Sequence, residues 1–175
     1  MAEEKKEKWL NYLALSTVIL AVCATLSTFK GGGFSTLSLM NQSKASDQWA
    51  FYESKSLKGY MFEMQKDNLE LQKSFVTKDQ LSQYEAKITA YQTKITQYEK
   101  EKSEIKSKAS EFEKQRDFNK QHSTIFGIAV IFLQVSILLG SIAALIKKRY
   151  LWFLSMAVGC IGIFYFMDGF FLFFI

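Results

Sequence analysis

Three apolar segments, each long enough to cross a hydrocarbon core, decide what this chain can fold into. Trp9 to Phe29 holds no charge in about 21 residues, Thr124 to Ile146 none in about 23, and Leu151 to Ile175 only Asp168 in about 25. A bilayer core about 30 Å thick needs roughly 20. These segments are apolar on all sides rather than along one stripe, and the charged stretch between the first two is too polar to wrap them as a soluble core. The expected fold is an all-α membrane protein: three transmembrane helices, with a long extramembrane helical hairpin or coiled-coil stalk between the first and second spans.

The boundaries follow from where charge and glycine fall. Residues 1–8 read as a cytoplasmic N-terminus, 9–29 as the first span, 30–45 as a Gly-rich hinge and linker, and 46–123 as the stalk. The second span is 124–146, a basic cytoplasmic turn 147–150, and the third span 151–175. The first apolar run exceeds a typical signal-peptide core and is expected to be retained as a span. Gly31-Gly32-Gly33 directly follows it and lacks the Lys-Ser or Lys-Thr of a phosphate-binding loop, so it reads as a hinge that decouples the first span. Lys5, Lys6, Lys8, Lys147, Lys148 and Arg149 lie on short segments at one face, beside Trp9, Tyr12, Tyr150 and Trp152. By the positive-inside rule that face is cytoplasmic, which places the stalk and C-terminus outside a bacterial inner membrane.

Proline is absent, so the stalk is free to be continuous helix. Thr77-Lys78-Asp79-Gln80 reads as a helix start in which Thr77 caps Gln80 and Val76 staples onto Leu81. Before it, Ala50, Leu57, Met61, Met64, Leu71 and Phe75 make an apolar stripe on a helix of about 45 Å. After it, Leu81, Ile88, Ile95 and Ala109 fall at heptad position a, with Tyr84, Tyr91, Tyr98, Ile105 and Phe112 at d. The register runs through Arg116, Asn119 and Phe126 without a helix breaker, so stalk and second span should form one helix. The shorter first helix leaves part of this stripe uncovered. Parallel self-pairing would set Lys94 against Glu99, Glu101 against Lys106 and Lys108 against Glu113, all attractive. The candidate oligomer seam is therefore Ile88, Tyr91, Ile95, Tyr98, Ile105 and Phe112, with packing inside the chain's own hairpin as the plainer alternative.

Chemistry-bearing residues are few. Asp168 is the sole ionisable side chain within a span and Gln134 lies near the middle of another, so both are intramembrane candidates, for helix packing or for a wet pathway. His122 is the one histidine, expected at lipid headgroups and without metal-ligand spacing around it. No catalytic, cofactor or metal site can be assembled, and no enzyme is expected. The net charge of +5 is interleaved with acids in the stalk, which argues against nucleic acid. The expected partners are membrane lipids, further copies of the chain, and an unidentified protein. Two functions follow: a self-associating envelope scaffold or, in second place, an accessory or pore-lining part of a small transport assembly using Gln134 and Asp168.

Lys8-Trp9-Leu10-Asn11-Tyr12-Leu13-Ala14-Leu15-Ser16-Thr17, Ala45-Ser46-Asp47-Gln48-Trp49-Ala50-Phe51-Tyr52-Glu53-Ser54-Lys55-Ser56 and Lys147-Lys148-Arg149-Tyr150-Leu151-Trp152 resemble the bacterial membrane-protein family called domain of unknown function 4337. The resemblance covers nearly the whole chain and implies the same three-span arrangement in a bacterial envelope, with no activity or ligand to carry over. Within its most specific stretch, Trp49, Phe51 and Tyr52 are candidate anchors, for the base of the hairpin or for a docked partner.

Overall fold

The computed structural model describes residues 2–75 and 77–172, and their side chains except those of residues 2–7, 78 and 79. They form three helices, α1 (Ala2–Lys73), α2 (Lys78–Ile146) and α3 (Arg149–Phe171), and no strand among the described residues. The chain divides into two compact units. One is an apolar bundle, Met1–Leu39 with Arg116–Ile175; the other is a polar helical pair, Met40–Gln115.

The break expected over 30–45 is not there. Helix α1 passes through Gly31, Gly32 and Gly33 without leaving helical backbone, and no glycine has a positive φ. The reason lies at Gly31, which is buried: a Cβ there would stand 3.0 Å from the Cβ of Phe126 on α2. The missing side chain permits close approach of two helices rather than a bend. Helix α2 is unbroken between Phe118 and Phe126, as its continuous register predicts.

The turn between α1 and α2 closes through Phe75 N–H to the Gln72 carbonyl at 2.9 Å, and the Thr77 carbonyl accepts from the amides of Gln80 and Leu81. Thr77 Oγ1 meets Gln80 Oε1 at 3.4 Å, side chain to side chain. The Val76 staple lies outside the described residues. At the other connection Lys147 takes left-handed backbone, φ 52, and α3 ends on Leu172, also left-handed, whose N–H returns to the Asp168 carbonyl at 2.7 Å.

The bundle is largely apolar inside and out. All three helices are long and apolar enough to cross a membrane. Inside, Trp9, Leu13 and Ala143 form one buried cluster and Leu20, Ala24 and Leu133 another. Outside, Val18, Ile131, Leu138 and Leu145 are all more than half exposed.

In the helical pair, α1 meets α2 along Ala45, Tyr52, Lys55, Gly59, Phe62 and Lys66, all buried or half-buried. The stripe expected to do this, Ala50, Leu57, Met61, Met64, Leu71 and Phe75, is exposed instead. The face that fits wins over the face that is apolar. Ala45 is fully buried, the Lys55 ammonium lies over the Tyr98 ring and pairs with Glu101, and the Lys66 ammonium reaches Gln92 and Glu70.

Candidate functional site

Each unit has its own set of packed side chains, and most of the functional candidates belong to one or the other. In the helical pair, the six proposed seam residues of α2 are buried or half-buried and look toward α1 of the same chain. Phe62 lies 5.5 Å from the Tyr91 ring and 5.8 Å from the Tyr98 ring. The Lys44 ammonium sits 5.6 Å from the Phe112 ring, and that of Lys55 5.2 Å from the Tyr98 ring. Ile95 is 7% exposed, and Ile88 and Ile105 are half-buried. Residues 30–45 are helix as well, so the stripe thought to be left uncovered is covered.

The carboxylates that would pair between copies, Glu99, Glu101 and Glu113, are engaged within the chain. Lys55 Nζ lies 2.6 Å from Glu101 Oε2, while Gln97 donates to the other oxygen at 2.8 Å. The Lys55 bond, then that of Gln97, hold the Glu101 carboxyl below its ordinary pKa, and the same contact raises the Lys55 ammonium above its own. Glu99 bonds Lys102 at 2.6 Å and raises its pKa. Lys73 meets Glu85 at 2.7 Å. Among the candidate anchors, Trp49 Nε1 donates to Glu113 Oε1 at 2.9 Å and packs edge-on against Tyr52 at 5.5 Å. Phe51 points out, 62% exposed.

The bundle is locked by small residues on α3. Ser136 Oγ donates to the Ser155 carbonyl at 2.6 Å and Ser155 Oγ to the Ser136 carbonyl at 2.8 Å, a reciprocal pair between α2 and α3. A Cβ on Gly159 would stand 2.8 Å from Ser136 Oγ; one on Gly162 would be 3.0 Å from the Leu133 amide nitrogen; one on Gly169 would be 2.9 Å from the Phe126 ring. Phe126 is fully buried and wedges between Gly31 of α1 and Gly169 of α3.

His122 is not at a lipid headgroup. It is 6% exposed, stacked on Phe34 at 4.5 Å and edge-on to Phe118 at 4.6 Å. Its Nδ1 lies 2.7 Å from the Gly169 carbonyl. A carbonyl only accepts, so Nδ1 carries the proton, and the ring ties the end of α3 to α2.

The two intramembrane candidates are not brought together. Gln134 faces outward and makes no hydrogen bond among the described residues. Asp168 is 4% exposed and borders a groove of about 560 Å³ with Lys120, Thr124, Ile128 and Tyr165, in which Gln134 has no part. Ser136 and Gly140, on the same helix as Gln134, are buried. Lys30 holds its ammonium 6.0 Å from the Phe170 ring. Among the described residues no three His, Cys, Asp or Glu side chains converge on a metal position.

The fold thus defines an all-helical protein with an apolar three-helix bundle and a polar helical pair. The family model for the domain of unknown function DUF4337 matches residues 9–172, and the chain belongs to that family. Comparison with curated proteins gives no match, and comparison with solved structures gives none.

Proposed function

We propose that this chain is a multi-pass protein of the bacterial inner membrane that acts as a self-associating scaffold, without catalytic activity, cofactor or nucleic-acid partner. Residues 1–8 and the 147–150 turn face the cytoplasm, and the helical pair and C-terminus lie outside. The carrying observation is that the aromatic and charged side chains along the α1–α2 seam answer one another within the chain: Lys55 with Glu101, Trp49 with Glu113, Phe62 with Tyr91 and Tyr98. That makes a built structural element on an apolar anchor, and leaves its outer faces for partners. Exposed Lys8, Lys147, Lys148 and Arg149 support the cytoplasmic assignment. The bundle's outer surface supports lipid as its solvent. A transport role through Gln134 and Asp168 has no such support, because Gln134 faces outward and has no part in the groove that Asp168 borders.

Purification in a gentle detergent, followed by mass measurement of the intact particle, tests this reading. A particle containing two or more copies is expected. A single chain carrying only lipid and detergent would overturn self-association.

A further inference from the structure

The face of α1 that meets α2 recurs at steps of four and three residues, and so does a second face roughly 150° round the helix. It comprises Ser54, Leu57, Met61, Met64, Asn68 and Leu71, every one exposed. Leu57 is 65% exposed, Met61 58%, Met64 73% and Leu71 71%. These lie in the polar unit, so they stand in water, where a continuous apolar stripe of this length marks an interaction surface. In heptad terms Ser54, Met61 and Asn68 fall at a, and Leu57, Met64 and Leu71 at d.

We propose that this face docks a second copy of the chain, parallel and in register. The inference rests on the self-association proposed above and deepens it by naming the surface. Charge complementarity chooses the occupant and its direction. Glu53 falls at g and Lys58 at e, both exposed; in a parallel pair each Glu53 faces Lys58 of the second copy, twice by symmetry. An antiparallel pair would set g against g, bringing Glu53 to Asp67 with like charge. Copies anchored the same way in one membrane also approach in parallel, and a two-fold axis places identical residues at equal height. Asn68 then meets Asn68 of the second copy. Its Oδ1 takes the Gln72 amide at 3.1 Å, which leaves its own N–H groups to donate across the interface, and a buried Asn at a fixes register. Unbranched Met61 and Met64 adapt to the remaining space.

The test uses the full chain in native membranes with Cys23→Ala and Cys160→Ala. Single cysteines at Met61 or Met64 should give disulfide-linked dimers, while Glu63→Cys, on another face, should not. Met61→Glu with Met64→Glu alters exposed positions only, so the fold is kept, and the purified particle should fall to a single chain. Glu53→Lys should weaken the dimer and added Lys58→Glu restore it. If the wild-type particle holds several copies but neither Met61→Cys nor Met64→Cys crosslinks, this inference fails and self-association stands. A wild-type particle of one chain removes both. Loss of the dimer on Gln134→Leu, with Met61→Glu and Met64→Glu silent, would move the interface into the bilayer and overturn the proposal, as would co-purification of a different protein in place of a second copy.

Discussion

Glycines of the same chain do opposite things, and single substitutions separate them. A methyl group at Gly162 would press on the Leu133 backbone nitrogen, 3.0 Å from the ideal Cβ position, and backbone cannot swing aside. Gly162→Ala should therefore destabilise the bundle by about 1–3 kcal/mol, read as a lowered thermal midpoint in detergent. Gly32 meets nothing within 4 Å, and Gly32→Ala should be neutral or stabilising by up to about 1 kcal/mol. At His122, replacement by Phe keeps the stacking on Phe34 but removes the donor to the Gly169 carbonyl. A loss of about 1–3 kcal/mol is expected; an unchanged midpoint would show that the hydrogen bond contributes nothing. The Lys55–Glu101 contact has a definite pH signature. The Glu101 carboxyl is depressed by Lys55 and then Gln97, so its contribution is present above the ordinary carboxylate value and lost as pH falls through the depressed one. The Lys55 ammonium is raised by Glu101, so its contribution is complete below the ordinary lysine value and lost as pH rises through the raised one. Hydrogen exchange of α1 amides around Lys55 should quicken at both extremes, and Glu101→Gln should remove the acid limb.

Helix α2 was legible in the sequence and the partner face of α1 was not, for one physical reason. On α2 the buried positions Ile95 and Ala109 and the half-buried Tyr91, Tyr98 and Phe112 are apolar or aromatic, so periodicity finds them. On α1 the buried side is Ala45, Tyr52, Lys55, Gly59, Phe62 and Lys66, where the lysines serve by charge and Gly59 offers no apolar side chain for a pattern to find. A hydrophobic pattern ranks such a face below the truly apolar but exposed Leu57, Met61, Met64 and Leu71. The locking set of α3 did leave a signal that the reading missed: Ser155, Gly159, Gly162 and Gly169 stand at steps of four, three and seven, one face of small residues. The Gly31 run misled in the other direction, since glycine permits a bend and equally permits contact. Gly32→Ala with Gly33→Ala distinguishes them for α1. Continuous helix predicts unchanged or slightly higher helicity and stability, whereas a working hinge would lose its freedom and alter the mobility of spin labels on its two sides.

For the whole molecule, the proposed sidedness rests on the exposed basic residues Lys8 and Lys147 to Arg149. A membrane-impermeant thiol reagent applied to intact spheroplasts should label Lys58→Cys and spare Lys148→Cys, and the reverse pattern would invert the topology. The central claim is that the polar helical pair is closed upon itself within one chain, with its partner surface on the opposite side of α1. Phe62 and Tyr98 report on this most directly, because their rings lie 5.8 Å apart in the middle of the seam. Phe62→Cys with Tyr98→Cys, in a chain without native cysteines, would be treated in native membranes with a short thiol crosslinker and resolved by mass under denaturing conditions. The expected product is a crosslink inside a single chain, at monomer mass. Crosslinking between chains, with none within a chain, would contradict it.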